Sequence, residues 1–165
     1  MKKLYLVRHA KSSWDYPQLS DRERPLNKRG KRDAPKMAAF ISEIIPCPEL
    51  LLSSDAVRAH RTAIAFAEAF GMTENDILKD EILYHASAPA WEQVVSSLSD
   101  GVGSAMLFGH NPGLTNFVNQ IANMDIYNIP TCGVAGLSFR TDSWLKVSGG
   151  NCKLDFYHFP KGLKP

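Results

Sequence analysis

The chain has 165 residues, with 44% apolar and 10% aromatic side chains and a formal net charge of +2. These values are typical of a globular protein, and we expect a single domain over residues 1–165. The balanced charge argues against nucleic acid as a partner, so we interpret the basic cluster from Arg22 to Lys36 as a solvated loop and helix face.

The first strand and helix are marked by an apolar run and a capping residue. Residues 4–7 are a continuous apolar run, which predicts a strand buried on both faces, and it ends abruptly in Arg8 and His9. Asn27 is a suitable cap for the following helix, whose apolar residues recur at helical spacing. Pro35 lies inside this pattern and is expected to kink or split the helix.

A second strand and helix follow in the same order. Residues 50–52 predict a strand, and Ser54 or Asp55 can cap a helix that ends at Gly71. Residues 77–84 contain another predicted extended segment.

The third strand-helix pair follows a helix that begins near Ser87, where Pro89 suits the first turn. Residues 105–108 predict a strand. Asn111 is then a suitable helix cap, and Pro112 is expected to be the first residue of that helix.

The pattern changes after Pro130, where residues 135–139 and 154–159 predict two strands with no helix between them. The preceding alternation of strands and helices predicts an α/β sandwich with a mostly parallel central sheet.

Three predicted strand ends carry residues that suit anion binding. They are Arg8 with His9, the serine pair that leads to Arg58, and Gly109 with His110. Ligands of such sheets bind beyond the carboxyl ends of the strands, so these side chains are expected to converge. Arginine matches the geometry of a phosphate group, and the first turn of a helix also favours an anion.

The convergent residues predict an anion pocket that contains two arginines, two histidines and no carboxylate. The nearby arginines are expected to lower the pKa of His9, and a neutral imidazole can attack phosphorus to form a phosphohistidine. Arg8, Arg58 and His110 would then bind the phosphoryl oxygens. Because cationic side chains occupy that role, we expect no metal and no other cofactor.

Compartment is predicted from cysteine usage and from apolar segments. The three cysteines are odd in number and form no Cys-x-x-Cys pair, which argues against a disulfide framework or a zinc site. No segment approaches the roughly 20 apolar residues that span a membrane, and the N-terminal run is too short for a signal peptide. We therefore expect a cytoplasmic protein without a membrane partner.

Four segments in order resemble motif blocks of one known family. They are LYLVRHAKS, RPLNKRGKRDA, LLSSDAVRAHRTA and AMLFGHNPGL, which extend from Leu4 to about Phe117. These segments resemble the histidine phosphatase superfamily, which has the phosphoglycerate-mutase-like fold. Ala10 stands where that superfamily usually has glycine. The forms RHAKS, SSDAVRA and GHNPG are most similar to the small phosphohistidine phosphatases of the SixA type.

The resemblance implies a three-layer α/β/α sandwich around a mostly parallel sheet with an antiparallel strand. It implies that His9 is the nucleophile and that Arg8, Arg58 and His110 form the phosphate pocket. It also places Arg24 at the pocket mouth, although a surface role for this arginine is an equal alternative. Asn111 and Tyr84 are further candidates for substrate binding.

The sequence departs from the family at the residue that protonates the leaving group. Larger members have an acidic residue in the segment that reads ILYHASAPAW here, where Tyr84 and His85 stand instead. An alkoxide leaving group needs a proton donor, whereas the P–N bond of phosphohistidine needs less help. Asp21, Asp80, Glu81 and His85 remain alternative acids.

Three functions are compatible with these residues. The first is a phosphatase of phosphohistidine on proteins, which the missing acid and the short chain favour. The second is a phosphatase of small phosphorylated metabolites, and the third is a non-catalytic phosphate-binding module. The sequence does not indicate the oligomeric state.

Overall fold

The computed structural model describes residues 1–163 of the chain, and six of their segments pair into one sheet. These strands are β1 (Lys2–Arg8), β2 (Leu50–Ser53), β3 (Ile77–Lys79), β4 (Ser104–Gly109), β5 (Val134–Phe139) and β6 (Cys152–His158). The α-helices are α1 (Lys28–Ile44), α2 (Val57–Ala69), α3 (Ala88–Ser96) and α4 (Gly113–Ala122). Strands and helices therefore alternate up to β5, as the sequence pattern predicts.

The strand order in the sheet is β3-β2-β4-β1-β5-β6. The pairs β2–β3, β2–β4 and β1–β4 are parallel, whereas β5 is antiparallel to both β1 and β6. One strand thus runs against the other five described strands. The prediction of a mostly parallel sheet with an antiparallel strand is confirmed.

The two faces of the sheet are covered by different helices. Along β1, Leu4 and Leu6 pack in a buried cluster with side chains of α3 and α4. Tyr5 and Val7 point to the opposite face and pack with α1 and α2. This arrangement is the three-layer α/β/α sandwich, and it explains why residues 4–7 form an unbroken apolar run.

Helix α1 begins as predicted but is not split. The side chain of Asn27 caps it by accepting a hydrogen bond from the backbone N–H of Gly30 at 2.8 Å. The helix continues across Pro35, which lies on its exposed face. The flanking residues Ala34 and Met37 are buried in the core, and this packing keeps the helix intact through the proline.

The predicted caps of α2 are wrong. The capping residue is Ala56, whose side chain makes no capping hydrogen bond, and not Ser54 or Asp55. The hydroxyl of Ser54 instead contacts the backbone N–H of Ala56 at 3.2 Å and Nε2 of His110 at 2.8 Å. Ser54 therefore joins two strand ends.

The predicted extended segment over residues 77–84 is mostly not a strand. Only Ile77–Lys79 pair with the sheet, and a short 3₁₀ helix follows over Glu81–Leu83. The carboxylate of Asp80 accepts a hydrogen bond from the backbone N–H of Ile82 at 2.9 Å, which turns the chain away from the sheet. This turn directs the following loop toward the carboxyl ends of the strands.

Candidate active site

Three neighbouring parallel strands, β2, β4 and β1, end at the same edge of the sheet. Arg8 at the end of β1 is in register with Gly109 at the end of β4. The backbone N–H of His9 donates to the carbonyl of Gly109 at 3.0 Å, and that of Ser54 donates to the carbonyl of Phe108 at 2.9 Å. The structure therefore brings the three strand ends together.

A cavity of about 280 Å³ lies at this edge. It is lined by Arg8, His9, Lys11, Ser12, Trp14, Asp21, Arg24, Arg58, His85, His110, Asn111 and Thr131. The four residues that the sequence places at the centre of an anion site thus share one cavity. The expectation of a pocket without a carboxylate is wrong, because Asp21 also lines it.

His9 has one free ring nitrogen. Its Nδ1 lies 2.7 Å from the carbonyl oxygen of Ala10, and a carbonyl can only accept, so Nδ1 carries the proton and Nε2 holds a lone pair. The pKa of His9 is lowered to about 3, mainly by burial. The hydrogen bond to Ala10 opposes this shift, and the charges of Arg58 and Arg8 add to it. The ring is therefore neutral at physiological pH.

His110 is the second buried histidine of the pocket, with its ring centroid 5.1 Å from that of His9. Its Nε2 is 2.8 Å from the hydroxyl of Ser54. Burial lowers the pKa of His110 to about 2, with His9 and Arg58 as further causes. Its Nδ1 is buried without a hydrogen-bond partner among the described residues.

Arg8 and Arg58 reach the cavity from β1 and from the first turn of α2. Nη1 of Arg8 donates to the carbonyl of Ile129 at 2.9 Å, whereas its buried Nε has no partner in the described part of the chain. Arg58 is almost fully buried and donates to the backbone carbonyl of Asp21 at 2.6 Å and to its Oδ2 at 2.9 Å. Burial lowers the pKa of Arg8.

Arg24 is buried, so the alternative of a surface arginine is wrong. Its Nε donates to the carbonyl of Ser13 at 3.0 Å, and another guanidinium nitrogen donates to the hydroxyl of Ser12. The indole ring of Trp14 covers the guanidinium at 3.3 Å and is itself largely exposed. Arg24 thus faces the cavity with its charge held in a fixed orientation.

Asp21 connects the positive groups of the pocket. Its Oδ1 accepts from Arg24 at 2.8 Å, and its Oδ2 accepts from Arg58 at 2.9 Å and contacts Nε2 of His85 at 3.0 Å and the hydroxyl of Tyr84. Burial opposes ionisation, but the hydrogen bonds, with that from Tyr84 the largest, hold the pKa of Asp21 well below its usual value. Sequence reasoning gave Asp21 only as an alternative acid. Its spacing of three residues from Arg24 is the signal that indicates an ion pair.

The remaining sequence candidates occupy different positions. Tyr84 is not among the residues that line the cavity, and its hydroxyl is bonded to Asp21. Glu81 lies on an exposed 3₁₀ helix and does not line the cavity either. His85 does line it, and its side chain is 52% exposed.

Asn111 lines the cavity, but its side-chain amide is fully engaged. Nδ2 donates to Asn128 and to the carbonyl of Ile129, both at 2.8 Å, and Oδ1 accepts from the backbone and the hydroxyl of Thr115. Helix α4 begins at Gly113, so the predicted start at Pro112 is one residue too early. The Asn111 amide therefore holds the loop after β4 in place.

Two further findings concern the described residues as a whole. No helix within residues 1–163 is long and apolar enough to cross a membrane. The same part of the chain contains no group of three or more histidine, cysteine, aspartate or glutamate side chains arranged to hold a metal ion.

Comparison with known proteins identifies the family. The family model of the histidine phosphatase superfamily, branch 1, matches residues 4–100, which is more than half of the chain. The chain therefore belongs to the histidine phosphatase superfamily, and it is a phosphatase.

Individual relatives agree with this assignment. An uncharacterised chloroplastic protein of Arabidopsis thaliana is 32% identical over 151 residues, which cover 87% of this chain and 69% of that protein. A crystal structure from Agrobacterium tumefaciens, assigned as the phosphohistidine phosphatase SixA, has 28% sequence identity to this chain and a TM-score of 0.80. The match covers 99% of this chain and 98% of the Agrobacterium chain. The protein histidine phosphatase SixA complexed with tungstate has the same fold, with a TM-score of 0.81 and 19% sequence identity. That match covers 98% of this chain and 99% of the SixA chain.

Proposed function

We propose that this protein removes phosphoryl groups from phosphohistidine side chains of proteins, with His9 as the nucleophile. The observation that carries the proposal is the hydrogen-bonding state of His9. Its Nδ1 donates to the Ala10 carbonyl, so the Nε2 lone pair remains free in a ring whose pKa is lowered to about 3. A neutral imidazole fixed in this way is ready to attack phosphorus.

The pocket supplies donors for the phosphoryl oxygens. Nε of Arg8 and Nδ1 of His110 are buried and unpartnered among the described residues, and a phosphoryl group would satisfy both. Arg58 adds a nearly buried positive charge beside His9. Such preorganised donors stabilise the charge of the transferred group in the transition state.

The reaction proceeds in two balanced steps. Nε2 of His9 attacks phosphorus, and the P–N bond to the substrate imidazole breaks. The substrate ring reacts in the form that carries a proton on its other nitrogen, so it takes the electron pair of that bond and leaves as neutral imidazole. Water then attacks the phosphoryl group on His9, and the P–N bond to His9 breaks. The electron pair of that bond returns to Nε2 of His9, and phosphate leaves. Arg8, Arg58 and His110 hold the same oxygens in both steps.

The choice of phosphohistidine as substrate rests on the size of the cavity and on the segment after β3. A cavity of about 280 Å³ holds a phosphoryl group and one small group beside it, so the phosphorylated group must project from its carrier. A side chain on a protein surface meets this requirement. Tyr84 and His85 replace the carboxylate of larger family members, which fits a leaving imidazole, and the Agrobacterium relative is assigned to the same activity.

The proposal is tested by phosphate release from a histidine-phosphorylated protein. The wild type and the control variant His60→Asn should release phosphate equally, because His60 pairs with Glu74 outside the cavity. His9→Asn should release none above the uncatalysed rate. Equal release by the wild type and His9→Asn would contradict the proposal.

We also propose that the protein acts in the cytoplasm. Cys47, Cys132 and Cys152 are free thiols, which suits a reducing compartment. Fractionation of cells that produce the protein should place it in the cytosolic fraction, and recovery in an oxidising compartment would contradict this.

A further inference from the structure

The cavity has a buried end and an open end. His9, Arg58 and His110 are 8%, 2% and 1% exposed, so the phosphoryl group that they bind must be deep. The leaving group must then lie toward solvent. His85 lines the same cavity with a side chain that is 52% exposed, which places it on the leaving-group side.

His85 is fixed in this position by several contacts. Its Nε2 lies 3.0 Å from Oδ2 of Asp21, and its ring centroid is 4.2 Å from that of Tyr84 and 5.1 Å from that of His110. Its backbone has a φ of 49°, in the left-handed region that residues other than glycine rarely adopt. Such backbone conformations persist where surrounding contacts impose them, and they concentrate at functional sites.

The other acidic candidates are poorly placed to donate a proton. Asp21 accepts hydrogen bonds at both oxygens and remains a carboxylate. Asp80 accepts from the backbone of Ile82, and neither it nor Glu81 lines the cavity. Imidazole can both donate and accept a proton, which leaves His85 as the suitable group.

We propose that His85, oriented by Asp21, protonates an oxygen leaving group, so that the protein also hydrolyses phosphate monoesters of aliphatic alcohols. This inference rests on the proposed role of His9 as nucleophile. It assigns the general acid that the sequence leaves open, and it adds a second class of substrate.

His85 passes one proton to the leaving oxygen and regains one from water. In its imidazolium form, His85 bonds Asp21 through Nε2–H and has Nδ1–H available. As Nε2 of His9 attacks phosphorus, the P–O bond to the alcohol breaks and the Nδ1 proton moves to the leaving oxygen. In the second step His85 accepts a proton from the attacking water, the P–N bond on His9 breaks, and phosphate departs.

The test compares substrates that differ in their need for a proton. Glycerol 3-phosphate has an alkoxide leaving group, whereas 4-nitrophenyl phosphate releases a stable phenolate. The comparison uses kcat/KM, which reports formation of the phosphoenzyme and not its hydrolysis. His85→Ala should lower kcat/KM for glycerol 3-phosphate by about 100-fold or more and should change kcat/KM for 4-nitrophenyl phosphate by less than about threefold. His60→Ala is the matched control, because His60 also contacts a carboxylate, that of Glu74 at 2.9 Å, outside the cavity.

The outcomes separate this inference from the proposed function. An equal loss of kcat/KM for both substrates in His85→Ala would overturn the role of His85 as acid, and so would a wild type that does not hydrolyse glycerol 3-phosphate. His9→Asn should lose activity toward both esters and toward phosphohistidine. If His9→Asn kept its activity, the proposed function itself would fail, whatever the result for His85.

Discussion

Acidification is predicted to destabilise the protein through its two buried histidines. His9 and His110 have pKa values of about 3 and about 2 in the folded state, whereas an unfolded histidine titrates near 6.5. Below about pH 6.5 the unfolded chain therefore binds more protons than the folded chain. The stabilisation is complete above that pH and is lost as the pH falls toward the folded values.

The size of the effect follows from the same values. Each buried histidine contributes a slope that approaches about 1.4 kcal/mol per pH unit below the unfolded pKa. Between pH 7 and pH 5 this amounts to about 2 kcal/mol for each of His9 and His110, and to about 4 kcal/mol together. Urea unfolding at a series of pH values measures it directly.

Variants identify the source of the slope. His9→Gln and His110→Gln should each remove about half of the decrease in unfolding free energy between pH 7 and pH 5. His60→Gln should retain the contribution of both pocket histidines. An unfolding free energy that is as pH-dependent in His9→Gln and His110→Gln as in the wild type would refute the reasoning that these rings are buried and neutral.

Three further substitutions test the pocket. Arg58→Ala should weaken tungstate binding by about 1.5–3 kcal/mol, the value of a hydrogen bond to a charged group, and unchanged binding in calorimetry would argue against its role. Asp21→Asn should lower the unfolding free energy by about 1–3 kcal/mol, yet strengthen tungstate binding because Arg58 loses a competing carboxylate; weaker binding would contradict this. Gly30→Ala places a methyl group against the carbonyl of Lys11, in the loop after His9. It should lower the unfolding free energy by about 1–3 kcal/mol and reduce kcat, and normal values of both would show that this loop is not tightly packed.

The sequence predicts the fold and the strand ends well because those features depend on local patterns. The apolar run over residues 4–7 requires burial on both faces, and the sheet provides it. Asn27 caps α1 as expected. Of the kink or split predicted at Pro35, the split does not occur, because a local rule for proline omits the core packing of the residues near it.

Long-range contacts explain what the sequence could not predict. The sequence gives Asp21 only as one of four alternative acids, but in the structure it bonds Arg58 and His85, which are 37 and 64 residues away in the chain. Ser54 was expected to cap a helix, but its hydroxyl contacts His110, 56 residues away. Only the folded sheet brings these groups together, so periodicity and capping rules could not find them.

The central claim is that His9 accepts the phosphoryl group, and trapping the intermediate tests it most directly. The enzyme is mixed with a histidine-phosphorylated protein, quenched in alkali because phosphohistidine is labile to acid, and digested for peptide mass spectrometry. The wild type should carry one phosphoryl group on the peptide that contains His9, and His9→Asn should carry none. A phosphoryl group on another residue, or catalysis by His9→Asn, would contradict the account.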